Sequence, residues 1–155
     1  MIKIRPYQSD DADTLWHLFF NTVRVVNARN YSKDQVEAWA PESFDISVWQ
    51  NKMNDLQPFV AELNGAIVGY CDLQPDGLID YFFCHHEYQG QGIGKALMNH
   101  ILALADERGV SRLYSHVSIT ARPFFEHFGF LVMNEQRISV RGQELTNFVM
   151  ERRFE

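Results

Sequence analysis

Apolar and polar positions alternate at the start of the chain, with Ile2 and Ile4 on one face and Lys3 and Arg5 on the other. That period of two predicts a short strand over Met1 to Pro6. The period then changes. Leu15, Leu18, Phe19, Thr22 and Val26 recur at helical spacing, so an amphipathic helix is expected from Asp10 to about Asn27, capped by Ser9-Asp10-Asp11. Ser32 with Gln35 three residues on fits a capping box for a short helix through Val36 and Trp39 that stops before Pro41. Ile46, Trp49 and Met53 predict a further helix.

Three strands should follow. Pro58 to Leu63 and Ala66 to Gln74 flank Asn64-Gly65, a pair suited to a tight hairpin in which both residues take positive φ. Leu78 to Cys84 is the third, after the turn Pro75-Asp76-Gly77. Gly92 to Arg108 predicts a long helix with Ile93, Leu97, Ile101, Leu104 and Ala105 inward and Gly109 at its stop. Ser111 to Val117 reads as a strand and Ala121 to Phe128 as a short helix. Leu131 to Val140 and Glu144 to Arg152 form a last hairpin around Arg141-Gly142-Gln143. This order predicts one α+β or mixed α/β domain over residues 1–155, without repeats or linkers.

The 155 residues are 46% apolar, enough for a real core. A net charge of -6 argues against a nucleic-acid partner, which requires clustered Lys and Arg, and is compatible with a cationic amine substrate or with an ordinary cytoplasmic surface. Cys71 and Cys84 are too few for a disulfide scaffold and have no metal-ligand spacing. No metal is expected. No signal peptide and no apolar stretch approaching the ~20 residues of a membrane span are expected either.

The chemistry concentrates at Cys84-His85-His86-Glu87-Tyr88-Gln89-Gly90-Gln91-Gly92-Ile93-Gly94-Lys95, which leads from an apolar strand through three glycines into a helix. A helix N-terminus offers unpaired N–H groups and partial positive charge, and glycines let backbone approach an anion. A Walker loop needs Gly-Lys-Ser/Thr, but Ala96 follows Lys95. A dinucleotide fingerprint needs glycine where Lys95 stands. The pattern Gln89-x-x-Gly92-x-Gly94 resembles the central signature of the GCN5-related N-acetyltransferase superfamily. The surrounding phrase Glu87 to Leu97 resembles that family almost residue for residue. Ala121 to Phe130 resembles its closing helix and Gly-Phe turn, and Ile2 to Pro6 a common family start.

The resemblance implies the family's acyl-CoA N-acyltransferase fold, a central, mostly antiparallel twisted sheet with flanking helices. It implies acetyl-CoA as cosubstrate. Phe82, Phe83 and Cys84 would lie along the pantetheine arm, and Gln89, Gly90, Gln91, Gly92, Ile93, Gly94 and Lys95 would hold the pyrophosphate. Ser118 and Phe125 occupy positions where the family commonly has a cofactor-side Asn and a Tyr acid. Phe125 has no proton to give. The reaction implied is direct attack of a primary amine on the thioester. The acceptor is a small amine or amino-acid-like compound, with a protein amine open as well. A non-catalytic CoA-binding module and a transferase of longer acyl chains are the alternatives. A homodimer is permitted but not demanded.

Three residues are candidates for proton transfer. Asp80 shares parity with Phe82 and Cys84 and is either the base or an exposed strand-end acid. His116 shares parity with Tyr114 and Ser118 and is either a base, a role common for imidazole, or a packed histidine. Tyr114 is either the missing acid or strand packing. Cys84 reads as a core residue rather than a nucleophile. His85 and His86, being adjacent, are expected to face different ways.

Overall fold

The computed structural model describes residues 1–154. Its strands are β1 (Ile2–Pro6), β2 (Phe59–Leu63), β3 (Ala66–Cys71), β4 (Phe82–Cys84), β5 (Arg112–Ser118), β6 (Leu131–Val140) and β7 (Gln143–Arg153). Its helices are α1 (Ala12–Val25), α2 (Lys33–Trp39), α3 (Ile46–Leu56), α4 (Ile93–Glu107) and α5 (Arg122–His127). The strands form two antiparallel sheets, ordered β1-β2-β3-β4 and β5-β7-β6. The expected mixed α/β class, with mostly antiparallel strands and flanking helices, is what the chain adopts.

Local chemistry accounts for most boundaries. Ser9–Asp11 is a 3-10 turn, so α1 begins two residues later than its pattern predicts. Asp11 closes that turn by accepting the Gln8 N–H at 2.8 Å and both Arg5 Nη groups at 2.8 and 2.9 Å, while Arg5 Nε donates to Glu62 at 3.0 Å. One cation thus ties β1 and β2 to the start of α1. Ser32 and Gln35 make the expected reciprocal cap of α2. Asn64 (φ 53°) and Gly65 (φ 82°) turn the β2–β3 hairpin. The last hairpin turns on Arg141 and Gly142 alone, since Gln143 already pairs with Val140 in the ladder.

Residues of the first sheet separate two apolar cores. Val60 and Tyr70 face α1 and α3 with Leu15, Trp49 and Met53. Ala61, Val68 and Cys71 face α4 with Leu97 and Ile101. The β2–β3 register breaks as Ala61 pairs with Gly69 and Glu62 with Ile67, which leaves Val68 as an extra residue. This bulge resets the alternation, so Val68 and Cys71 share a face. Gly69 allows α4 to approach, since a Cβ there would lie 2.9 Å from Ile93 and 3.0 Å from Leu97.

The third predicted strand is shorter than expected. Only Phe82–Cys84 pair with β3. The buried Asp72 carboxylate interrupts the ladder by accepting the N–H groups of Asp80 (3.0 Å) and Tyr81 (2.6 Å). Leu78 instead bridges Tyr114 of β5 in parallel. The two sheets are stitched there by Ile79 N–H to the Tyr114 carbonyl (2.9 Å), Tyr114 N–H to the Gly77 carbonyl (3.1 Å) and Ser115 Oγ to the Ile79 carbonyl (2.6 Å). Beyond this point β4 and β5 do not pair, and a cleft opens between the sheets. Among the described residues no helix is long and apolar enough to cross a membrane.

Candidate functional site

The cleft is a cavity of about 970 Å³ that reaches from the Gly-rich loop, past β4 and β5, to a cluster of aromatic side chains on α1 and α3. At its first end Gly90 (φ 74°) and Gly92 (φ 85°) hold left-handed backbone, and Gly92 starts α4 without a side-chain cap. A Cβ on either would meet nothing within 4 Å, so the loop lies open. The first turn of α4 carries no acid and includes Lys95. Uncapped N–H groups, positive helix-end potential and a lysine suit an anion.

Gln89 has a different part. Its side-chain amide donates to the Cys84 (2.9 Å) and His85 (3.2 Å) carbonyls, so it braces the loop against β4. His85 and His86 do not face apart as expected. Their rings stack at 4.7 Å, and with Glu87 they bring three ligand-type atoms within 4.8 Å of one another. The short 3-10 turn His86–Tyr88 curls the chain there, and His85 Nδ1 accepts the Glu87 N–H.

Phe82 and Phe83 point to opposite sides of β4. Phe82 meets Phe124 (5.3 Å) and Phe125 (5.7 Å), while Phe83 meets Phe19 edge-on at 5.0 Å. Phe125 is 2% exposed and packs on Phe130, so it supplies the wall behind the cavity rather than an open contact. The Cys84 thiol lies beneath α4, and burial pushes it up to about 12. A thiol so held stays protonated and is a poor nucleophile. The Cys84 carbonyl accepts from Thr22 Oγ1 at 3.0 Å, which fixes α1 against β4. Ser118 Oγ accepts the Ala121 N–H at 3.0 Å and lies 3.4 Å from the Asn27 amide, bracing the turn into α5.

The proton-transfer candidates separate. Asp80 is exposed, as the strand-end alternative has it, and is also the sole carboxylate residue lining the cavity among the described residues. Its backbone is pinned by Asp72, a wholly buried acid whose pKa burial raises to about 6 against the pull of its hydrogen bonds. His116 lines the cavity but is solvent-exposed, not packed. Tyr114 is absent from the lining. Its hydroxyl donates to Asp76 in the preceding turn, and that carboxylate raises its pKa. The expectation of Tyr114 as an acid is therefore corrected: it shares the face of His116 and Ser118 but lies earlier on β5, at the sheet junction before the cleft opens, and its hydroxyl is taken by the Pro75–Gly77 turn.

Three residues of the cavity were not singled out from the sequence. Lys52 sits one helical turn after Trp49 and places its ammonium 5.2 Å from the Tyr81 ring centre. Burial acts against its charge, but Tyr81 and Asp80 outweigh this and hold its pKa above the usual lysine value, with Arg141 opposing them. Arg141 reaches in from the last hairpin turn. Tyr81, whose hydroxyl pKa is raised by burial, follows Asp80 directly. The spacing of Lys52 from Trp49 was a usable signal. Nothing local in the sequence points to Arg141.

Comparison with known proteins agrees with this geometry. Residues 27–152 match the family model of the acetyltransferase (GNAT) domain. The uncharacterized N-acetyltransferase YafP of Escherichia coli (strain K12) is 36% identical over 149 residues, covering 96% of this chain and 94% of that protein. A GCN5-related N-acetyltransferase from Rhodopseudomonas palustris, whose crystal structure also carries the description aminotransferase, class-II, superposes with a TM-score of 0.93 at 28% identity, over 98% of this chain and 95% of that one. The PaiA N-acetyltransferase of Thermoplasma acidophilum, solved in complex with coenzyme A, shares the fold with a TM-score of 0.77 at 19% identity, over 99% of each chain.

Proposed function

The chain belongs to the acetyltransferase (GNAT) family, and on that premise we propose that it transfers an acetyl group from acetyl-CoA to a primary amine by direct attack on the thioester. Residues 1–155 act as one domain, since the two cores lie on opposite faces of a shared sheet. One observation carries the reading. A single cavity joins the open, uncapped start of α4, the parting of β4 and β5, and an aromatic chamber holding Asp80.

Acetyl-CoA, when bound, supplies an activated acetyl thioester. The backbone of Gly90 to Lys95 is suited to its pyrophosphate, because the loop is open and the helix end is electropositive. Phe82 and Cys84 flank the cleft on the edge of β4 that does not pair with β5, so the backbone of that edge, apart from the Cys84 carbonyl taken by Thr22 and Gln89, is placed to bond an extended arm as an added strand would. Asp80 is the group we assign to take the amine proton at a carboxylate oxygen, directly or through water. His116 at the exposed rim is a second acceptor on the route to solvent. No proton donor stands at Phe125, so solvent or the protonated acceptor of the first step must serve the leaving thiolate.

Calorimetric titration of acetyl-CoA tests this first, with Gly92→Glu as control. The variant places a carboxylate on an open anion site and a side chain on left-handed backbone, and is expected to lose saturable binding. Wild-type protein that binds no acetyl-CoA, or a variant that binds it equally well, would reject the loop assignment. The buried phenylalanine at the family's acid position favours a second reading, a CoA-binding module without turnover. Release of CoA with any member of a broad amine panel decides between the two.

A further inference from the structure

The acetyl-transfer reading leaves the acceptor open, and the far end of the cavity narrows it. Aromatic rings from four separate segments meet there. Trp16 of α1 stacks on Phe44 of the α2–α3 connection at 4.7 Å and 16°, and meets Trp49 of α3 edge-on at 5.1 Å. Trp49 meets Tyr81 at 5.9 Å. Such a chamber favours a flat or bulky apolar body, because rings gain from offset and edge-to-face contact.

The charge of the lining runs against that of the chain. The protein carries a net -6, yet the cavity is lined by Lys52, Lys95 and Arg141 against the single acid Asp80. Lys95 belongs to the loop. Lys52 and Arg141 belong to the aromatic end, where the Lys52 ammonium lies over Tyr81 and the Arg141 guanidinium lies 5.6 Å from the Phe44 ring centre. Neither has a carboxylate within salt-bridge distance among the described residues. Arg141 is also held at a cost. It takes φ 45° at the first position of a two-residue hairpin turn, a site that suits Asn or Gly. One of its Nη groups donates to the Ala38 carbonyl at 2.7 Å, tying the side chain to α2. Strained backbone that aims a cation into a cavity is a feature of ligand-binding positions.

We infer that the acceptor is an amine that also bears a carboxylate on an aromatic or similarly bulky apolar body, with Lys52 and Arg141 receiving the carboxylate and the aromatic chamber its body. This rests on the acetyltransferase reading and adds the substrate class to it. An acceptor of cationic character alone, which the chain's net charge first suggests, would meet two unpaired cations at this end.

The test uses matched amines that differ only in the carboxylate: phenylalanine against phenethylamine, and 4-(aminomethyl)benzoate against 4-methylbenzylamine. Binding to CoA-saturated protein is read by quenching of tryptophan fluorescence, since Trp16, Trp39 and Trp49 all line the cavity, and turnover by CoA release. Within at least one pair, the carboxylate member is expected to bind at least about tenfold more tightly, the scale of one charge-assisted contact. Lys52→Gln and Arg141→Gln should each erase most of that preference while the acetyl-CoA Kd stays unchanged. Equal or better binding of the amines without a carboxylate overturns the inference and leaves acetyl transfer standing. So does a failure of all four compounds to bind. Loss of acetyl-CoA binding by the wild-type protein would instead strike the underlying reading, and calorimetry without any amine reports that separately.

Discussion

Asp72→Asn is the most informative single substitution in this fold. Asp72 is wholly buried, and burial raises its pKa from 3.8 to about 6. The folded state therefore holds the proton more tightly than the unfolded chain does. That contribution is fully present below about pH 4 and is lost as pH rises through about pH 6, so at neutral pH the protein carries an ionised acid in its interior. A shift of this size is worth about 3 kcal/mol, at ~1.4 kcal/mol per pKa unit. Asparagine keeps an oxygen to accept the Asp80 and Tyr81 N–H groups, and Gln74 can present its own carbonyl to the new amide. The backbone bonds are weaker to a neutral oxygen, which takes back part of the gain. The variant should thus be about 1–3 kcal/mol more stable than wild type near pH 8, raising Tm by roughly 2–4 °C per kcal/mol for a domain this size. The gap should close toward about pH 4. Urea unfolding followed by tryptophan fluorescence, on both proteins at three pH values, measures it. Asp11, held low by Arg5, loses its own contribution as pH falls, but equally in both proteins. A variant less stable at high pH, or a gap that does not change with pH, would refute the reasoning.

Other substitutions separate binding from chemistry. Asp80→Asn should lower kcat by about 10²-fold or more, the range of general-base loss, while the acetyl-CoA Kd measured by calorimetry holds; an unchanged kcat would remove Asp80 from the mechanism. Cys84→Val should retain acetyl transfer within about threefold, since a buried, protonated thiol acts only as packing volume; abolished turnover in a folded variant would reopen a covalent route. Gly94→Ala would set a Cβ 2.9 Å from Phe124 Cε1, so despite a better helix residue it should cost about 1 kcal/mol and weaken acetyl-CoA binding. A crystal structure with Phe124 unmoved would contradict that account.

Periodicity, with cap and turn residues, located most of the helices and strands, because each buries one face and the buried positions must recur at 3.6 or 2 residues. The capping box at Ser32, the Asn64-Gly65 turn and the Gly-rich entry to α4 were readable for a similar reason, since their chemistry is complete within a few neighbouring residues. The family signature rests on that same local chemistry. What the sequence could not carry was any feature made by distant partners. Asp72 cuts short the strand before Cys84 by bonding backbone eight and nine residues away. The Val68 bulge resets which side chains face α4. The junction of two sheets keeps Tyr114 out of the cavity and leaves Asp80 in it. Arg141 and Lys52, 89 positions apart, share one chamber only because the last hairpin packs on α2 and brings Arg141 to Phe44. Local spacing thus determined the elements and the anion loop, while the choice of acid, the charge of the cavity and the acceptor end were decided by tertiary contacts, which no short-range pattern encodes.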